Sequence, residues 1–209
     1  RFCGMQIIQS MLIGYLFGGI NPAYIIGKLR GIDIRKTGTK NPGASNAAIV
    51  MGAKTGVLIA IFDILKAVTA INIARVLFPQ FAYALEFSGA GCILGHMYPI
   101  FMKFQGGKGV ACLAGLILAF DIKVFIGLAS FVIGLALLLD HMVIVPVAAS
   151  IIFPVIYAKK VGSILGTIII VIISFVILHK HKENLRWLKE GKEISINILW
   201  KKEKSTEQK

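Results

Sequence analysis

The chain has 209 residues, 56% of them hydrophobic, with a mean hydropathy of +0.79. That composition excludes an ordinary soluble domain and fits an all-α bundle embedded in a bilayer. The net charge of +13 invites a nucleic-acid reading, but apolar runs leave no soluble basic domain to hold a duplex.

In chain order, seven apolar segments are expected as membrane helices, covering residues 7–29, 57–78, 81–101, 110–120, 124–139, 142–158 and 161–178. The first three and the last are long enough to span, and the fifth and sixth sit near the lower limit. Residues 110–120 rise only about 16 Å as a helix, so this piece is either a shielded half-helix or continuous with the loop before it. Residues 179–209 form a basic tail, and the whole chain 1–209 reads as one membrane domain. Cys3, Cys92 and Cys112 are expected as small buried residues, with no disulfide framework and no metal site.

Charge suggests an orientation. With the N-terminus outside, the inner loops hold Lys28, Arg30, Arg35, Lys36, Lys40, Lys54, Lys103 and Lys108, and the tail adds many more cations. The outer face keeps only Arg1, Arg75, Lys123, Lys159 and Lys160. The positive-inside rule therefore favours seven spans, N-terminus out and C-terminus cytoplasmic.

That topology gathers several polar elements on one face. Gln105-Gly106-Gly107-Lys108-Gly109-Val110 is a glycine turn with one lysine, placed just before a helix start, where backbone N–H groups and an ammonium suit a phosphate. It lacks the spacer and hydroxyl of an ATP-binding loop. Upstream, His96 can donate to a phosphate, act as acid or base, or simply bond a carbonyl at the interface. The loop Gly38-Thr39-Lys40-Asn41-Pro42-Gly43-Ala44-Ser45-Asn46 alternates amides and hydroxyls with small residues and offers neutral donors to phosphate and polyol oxygens. Asp63 and Lys66 share a helix face as a neutralising pair, with Lys66 also placed to meet an anion. His181 and Asn184 share a face at the start of the tail, whose lysines and Trp187 suit an anionic lipid surface. No catalytic triad or paired carboxylates are present in the sequence pattern, so an enzyme built this way works by positioning and charge stabilisation.

The ordered set resembles the bacterial acyl-phosphate:glycerol-3-phosphate acyltransferases, the PlsY family. Residues 38–46 look like its G-S-x-N-x-G-A-T-N loop, and Asp63-Ile64-Leu65-Lys66 like its D-x-x-K. Residues 95–99 and 106–111 resemble G-H-x-x-P and G-G-K-G-V-A, His181-Lys182-Glu183-Asn184 resembles H-R-E-N, and Gly191-Lys192-Glu193 the following G-x-E. The resemblance implies transfer of a fatty acyl group from acyl phosphate to the 1-hydroxyl of glycerol 3-phosphate, giving lysophosphatidic acid and phosphate. It implies a multi-pass inner-membrane enzyme with a cytoplasmic site, no cofactor or metal, and the acyl-phosphate group itself assisting proton removal. The expected partners are the two substrates and the bilayer, with no nucleic acid and the chain acting as a monomer.

By position, Lys108, Asn41 and His181 would be catalytic. Thr39, Gly43, Ala44, Ser45, Asn46, Lys66, His96, Gly106, Gly107, Gly109 and Asn184 would hold the phosphates and the glycerol phosphate. The chain departs from the family pattern at Ile49, where an arginine is usual, at Gln105 for lysine and at Cys112 for threonine. Asp140-His141 replaces a basic, hydroxyl-bearing loop, leaving His141 as the stand-in. Two other readings stay open at this point: a paralogue with another acceptor, and a small transporter of a phosphorylated solute. Site residues near the bilayer midplane would favour transport, and only Asp63 and Lys66 offer that.

Overall fold

The computed structural model describes residues 2–193 and 195–196. Arg1, the lysines from Lys201 onward and the surroundings of the Cys3 side chain lie outside what it describes. Among the described residues ten α-helices run in order: α1 Phe2–Gly19, α2 Pro22–Leu29, α3 Ala44–Met51, α4 Ala53–Leu77, α5 Ala84–Met97, α6 Val110–Phe120, α7 Ile122–Leu139, α8 Ile144–Val161, α9 Ile164–Lys180 and α10 Lys182–Lys189.

Among the described residues four stretches are long and apolar enough to cross a membrane, namely Gly4–Leu29, Ala53–Leu77, Ile122–Leu139 and Ile144–Val161. The pair α9 and α10, bent by 52°, adds a fifth if it counts as one span. The segment expected at 81–101 is shorter than its sequence suggests, because only 14 residues form α5 and a short 3-10 turn follows Pro99. Residues 110–120 form α6 over the expected range.

The reason α5 can be short is its position. Nearly all of its residues are buried, ringed by α1, α4, α6 and α9, so protein rather than lipid satisfies its surroundings. Close packing with α1 depends on absent side chains. A methyl group on Gly14 or Gly18 would overlap the Ser88 or Cys92 carbonyl, and one on Gly91 or Gly95 would overlap the Met11 or Tyr15 carbonyl. Small residues at such spacing let membrane helices approach backbone to backbone. Gly115 does the same for α6 against Ile64 of α4.

The breaks between helices have local causes. Pro22 opens α2, with the Asn21 side chain accepting from Tyr24 N at 2.8 Å, a favourable start for a helix. Asn21 Nδ2 also donates to Pro42 O at 2.9 Å, which ties the polar loop 38–43 to this break. Asp121 caps α7 through Lys123 N and Val124 N. Lys160 sits 2.6 Å from the same carboxylate and holds it well below the usual range, at about 2. Past α10 the chain returns to the α7–α8 loop, pairing His141 with Ser195 in one antiparallel bridge.

Candidate active site

At one end of the bundle a cavity of about 410 Å³ lies where the starts of α3, α6 and α8 meet the ends of α7 and α9. Ten of the residues expected from sequence line it: Thr39, Asn41, Gly43, Ala44, Ser45, His96, Lys108, Gly109, His181 and Asn184. Four others, Asn46, Lys66, Gly106 and Gly107, stand behind it. The rest of the wall is mostly apolar, with Ala60, Ile64, Val110, Ala114, Ile133 and Val145, and Asp63 stands between Ala60 and Ile64.

Two helix N-termini open into this space. Gly43 precedes α3 and Gly109 precedes α6, and neither helix start has a side-chain cap. Gly109 takes φ +83, a left-handed conformation that costs glycine least. The first-turn N–H groups of a helix lack internal partners and carry partial positive charge. Two such ends beside the Lys108 ammonium make a site for a strongly negative group.

Lys108 Nζ donates to Asn184 Oδ1, and Asn184 Nδ2 donates to the Glu193 carboxylate at 2.9 and 3.2 Å. Burial pushes the lysine's pKa down, while Glu193 and Glu183 oppose that shift. In the sequence Glu193 stands out only as the acid of Gly191-Lys192-Glu193, without a site role.

His181 is 5% exposed. Its Nδ1 lies 2.8 Å from Ile177 O, and because a carbonyl only accepts, Nδ1 carries the proton and Nε2 is left as an acceptor. Burial, reinforced by the Lys108 charge, lowers its pKa to about 4, so the ring is neutral at pH 7. A lowered value means the folded state resists protonation. Stability is therefore unaffected by this group above its ordinary range near 6.5 and falls as pH drops from there towards 4. Thermal unfolding of the parent should lose more between pH 7 and pH 5 than that of His181→Asn; parallel losses would remove this assignment.

Behind the cavity, the glycine turn behaves differently from its sequence reading. Gly106 N donates to Met97 O at 3.1 Å and Gly107 N to His96 O at 3.0 Å. These amides cap the end of α5, leaving the Gly109 end of the turn to face the cavity. Side chains are excluded for a packing reason: a methyl group on Gly107 would overlap the His96 ring.

Asn46 is fully buried. Its amide donates to Ile34 O and Thr37 O at 3.0 and 2.9 Å and accepts from Thr39 N at 2.7 Å. It thus folds the loop that presents Thr39 and Asn41. Lys66 is likewise enclosed, with Nζ at 2.7 Å from Asp63 Oδ1, 3.0 Å from Gly18 O, 2.6 Å from Ile20 O and 3.1 Å from His96 Nδ1. The ammonium holds the end of α1, α4 and α5 together. Asp63, His96 and Cys112 also bring ligand-type atoms within 4.8 Å of one another, with the Lys66 charge already beside the carboxylate.

Comparison with known proteins places the chain among relatives of known type. The glycerol-3-phosphate acyltransferase family model matches residues 8–191. Glycerol-3-phosphate acyltransferase 1 of Oceanobacillus iheyensis is 32% identical over 208 residues, covering 96% of this chain and all of that protein. The enzyme of Thermosipho melanesiensis is 35% identical over 201 residues, with 93% and 95% covered. Among solved structures, the glycerol 3-phosphate form of the integral membrane acyltransferase PlsY is similar with a TM-score of 0.85 and 30% identity, over 91% of this chain and 95% of that one. The lysophosphatidic acid form gives 0.83 and 29%. A family model that covers most of the helical core, together with relatives matched end to end, decides the matter: this chain belongs to the glycerol-3-phosphate acyltransferase family.

Proposed function

We propose that this chain transfers a fatty acyl group from acyl phosphate to the 1-hydroxyl of glycerol 3-phosphate, releasing lysophosphatidic acid and inorganic phosphate. One observation carries the reading: Lys108 and two uncapped helix N-termini share a cavity whose remaining wall is mostly apolar. A phosphate with a hydrocarbon chain fits both halves. The solved relatives bound to glycerol 3-phosphate and to lysophosphatidic acid support the acceptor and the product, and a transporter is not favoured.

In this reading the acyl phosphate lies with its phosphate at the start of α6, near Lys108. Thr39, Asn41 and the start of α3 at Gly43, Ala44 and Ser45 receive the glycerol phosphate. The 1-oxygen of the acceptor attacks the acyl carbonyl carbon, the carbon–oxygen bond to phosphate breaks, and the hydroxyl proton passes to an oxygen of the departing phosphate. His181 Nε2, neutral and fixed by its Nδ1 bond, orients the hydroxyl. Lys108 opposes the charge that gathers on the phosphate and the carbonyl oxygen. Seven membrane segments, an outer N-terminus and a cytoplasmic site in the inner membrane of a bacterium complete the reading, with the chain acting as a monomer and without cofactor. Its support is the charge asymmetry and the shielding of α5 and α6 by neighbouring helices.

The test is phosphate release by purified protein given palmitoyl phosphate with and without glycerol 3-phosphate. Acceptor-dependent release with matching lysophosphatidic acid is expected; release that ignores the acceptor would overturn the reading. Ile49 lines the cavity where the family usually has arginine. Ile49→Arg should lower the KM for glycerol 3-phosphate on the order of tenfold, the size of one charge-assisted hydrogen bond. An unchanged KM would show that the position does not meet the acceptor.

A further inference from the structure

At the opposite end of the bundle a second cavity, of about 300 Å³, lies between the ends of α4, α6 and α8 and the start of α5. That is the low end of small-molecule pocket size, which begins at roughly 300 Å³. Its wall holds Glu86, Tyr157, Phe81, Phe120 and Arg75. None of these belongs to the catalytic cavity.

Glu86 is the unusual member. It is only 4% exposed, in an apolar bundle. Tyr157 donates its hydroxyl to Glu86 Oε1, while Oε2 is buried with no hydrogen-bond partner among the described residues. A buried carboxylate oxygen without a donor is costly. No lysine or arginine forms an ion pair with it among the described residues. The Tyr157 hydroxyl also packs closely on Gly166, where a methyl group would overlap it.

The surroundings specify what Oε2 would accept from. Phe120 and Tyr157 lie with ring centroids 5.2 Å apart and Phe81 completes an aromatic wall, a setting that favours an organic cation over a hydrated metal ion. Arg75 stands at the mouth, exposed, and uses one N–H on Ala119 O at 2.9 Å. A guanidinium there suits a phosphate. An ammonium within and a phosphate at the rim, at the end of membrane helices, describe one molecule.

The geometry points to a binding site for the head group of a zwitterionic aminophospholipid, its primary ammonium on Glu86 and its phosphate on Arg75. A primary ammonium supplies the N–H donor that Oε2 lacks, which a quaternary head group does not. The acyl chains would run along the outer, apolar faces of the neighbouring helices. This assignment is independent of the catalytic reading, because it uses the other end of the bundle.

Lipid binding to the full chain in detergent, read by native mass spectrometry, tests it with phosphatidylethanolamine, phosphatidylglycerol and phosphatidylcholine of matched chains. The parent should bind phosphatidylethanolamine about tenfold more tightly than the other two. Glu86→Gln should erase that preference while keeping phosphatidylglycerol binding, and Arg75→Gln should weaken phosphatidylethanolamine and phosphatidylglycerol alike. Equal binding of the three lipids by the parent would overturn the proposal, as would a preference that survives Glu86→Gln. Should Glu86→Gln fail to fold, undiminished phosphatidylethanolamine binding by Arg75→Gln, altered at an exposed side chain, overturns it equally. Free phosphoethanolamine is the remaining arm: it should bind far more weakly, and binding as tight as the lipid's would reject a membrane ligand.

Discussion

Lys108→Ala should lower kcat by about 100- to 1000-fold, the loss typical when one preorganised donor to a developing charge is removed. The lysine is held by Asn184, itself anchored on Glu193, so its ammonium waits in place and does not have to be ordered during the reaction. Ile49 and Gln105 stand where the resemblance to the family expects cations, which leaves more of the work to Lys108. The KM for glycerol 3-phosphate should change much less than kcat, because the start of α3 and the loop at Thr39 and Asn41 remain. Lys108→Arg should recover only part of the rate, since a planar fork cannot take the place of a compact ammonium against Asn184. Phosphate release from palmitoyl phosphate measures both variants. A near-normal rate for Lys108→Ala would remove the lysine from the reaction.

Much of this site was legible because it is built from local sequence patterns. Lys108 and Gly109 before a helix start, a loop of small and amide residues, and His181 with Asn184 all line the cavity. What was not legible is which side of each element faces in. The amides of Gly106 and Gly107 turn back onto α5, a tertiary choice that no spacing reveals. Asn46 looks from its neighbours like a ligand donor, yet the loop closes around it and uses its whole amide. Helix length was hidden for a related reason. Apolar residues continue from 81 to 101, but Pro99 and the turn after it end α5 early, and burial by neighbours makes the lost length harmless. Glu86 illustrates the opposite case, a polar residue that the apolar pattern of 81–101 conceals until α8 and α9 bring Tyr157 and Gly166 beside it.

Lys66→Met should destabilise the protein by about 3–5 kcal/mol, because it removes the ammonium from the buried Asp63 carboxylate and leaves only the His96 ring, with Nδ1 3.6 Å from Oδ1, beside it. The ion pair is enclosed, each side chain being only 2% exposed, with 2.7 Å between charges. The Gly18 and Ile20 carbonyls at the end of α1 lose a donor as well. A lower unfolding temperature in detergent and a poor yield of folded protein are the expected results. Removing both charges should be milder than removing one: Asp63→Asn with Lys66→Met should recover a large part of the lost stability, since no bare charge is left inside. The comparison separates two roles for the lysine. As the tie between α1, α4 and α5 it changes stability first, and activity falls only as the fold loosens. As a direct phosphate ligand it would leave the unfolding temperature near that of the parent and raise KM. That second pattern would reject the tie and return Lys66 to the substrate site, where the sequence first placed it.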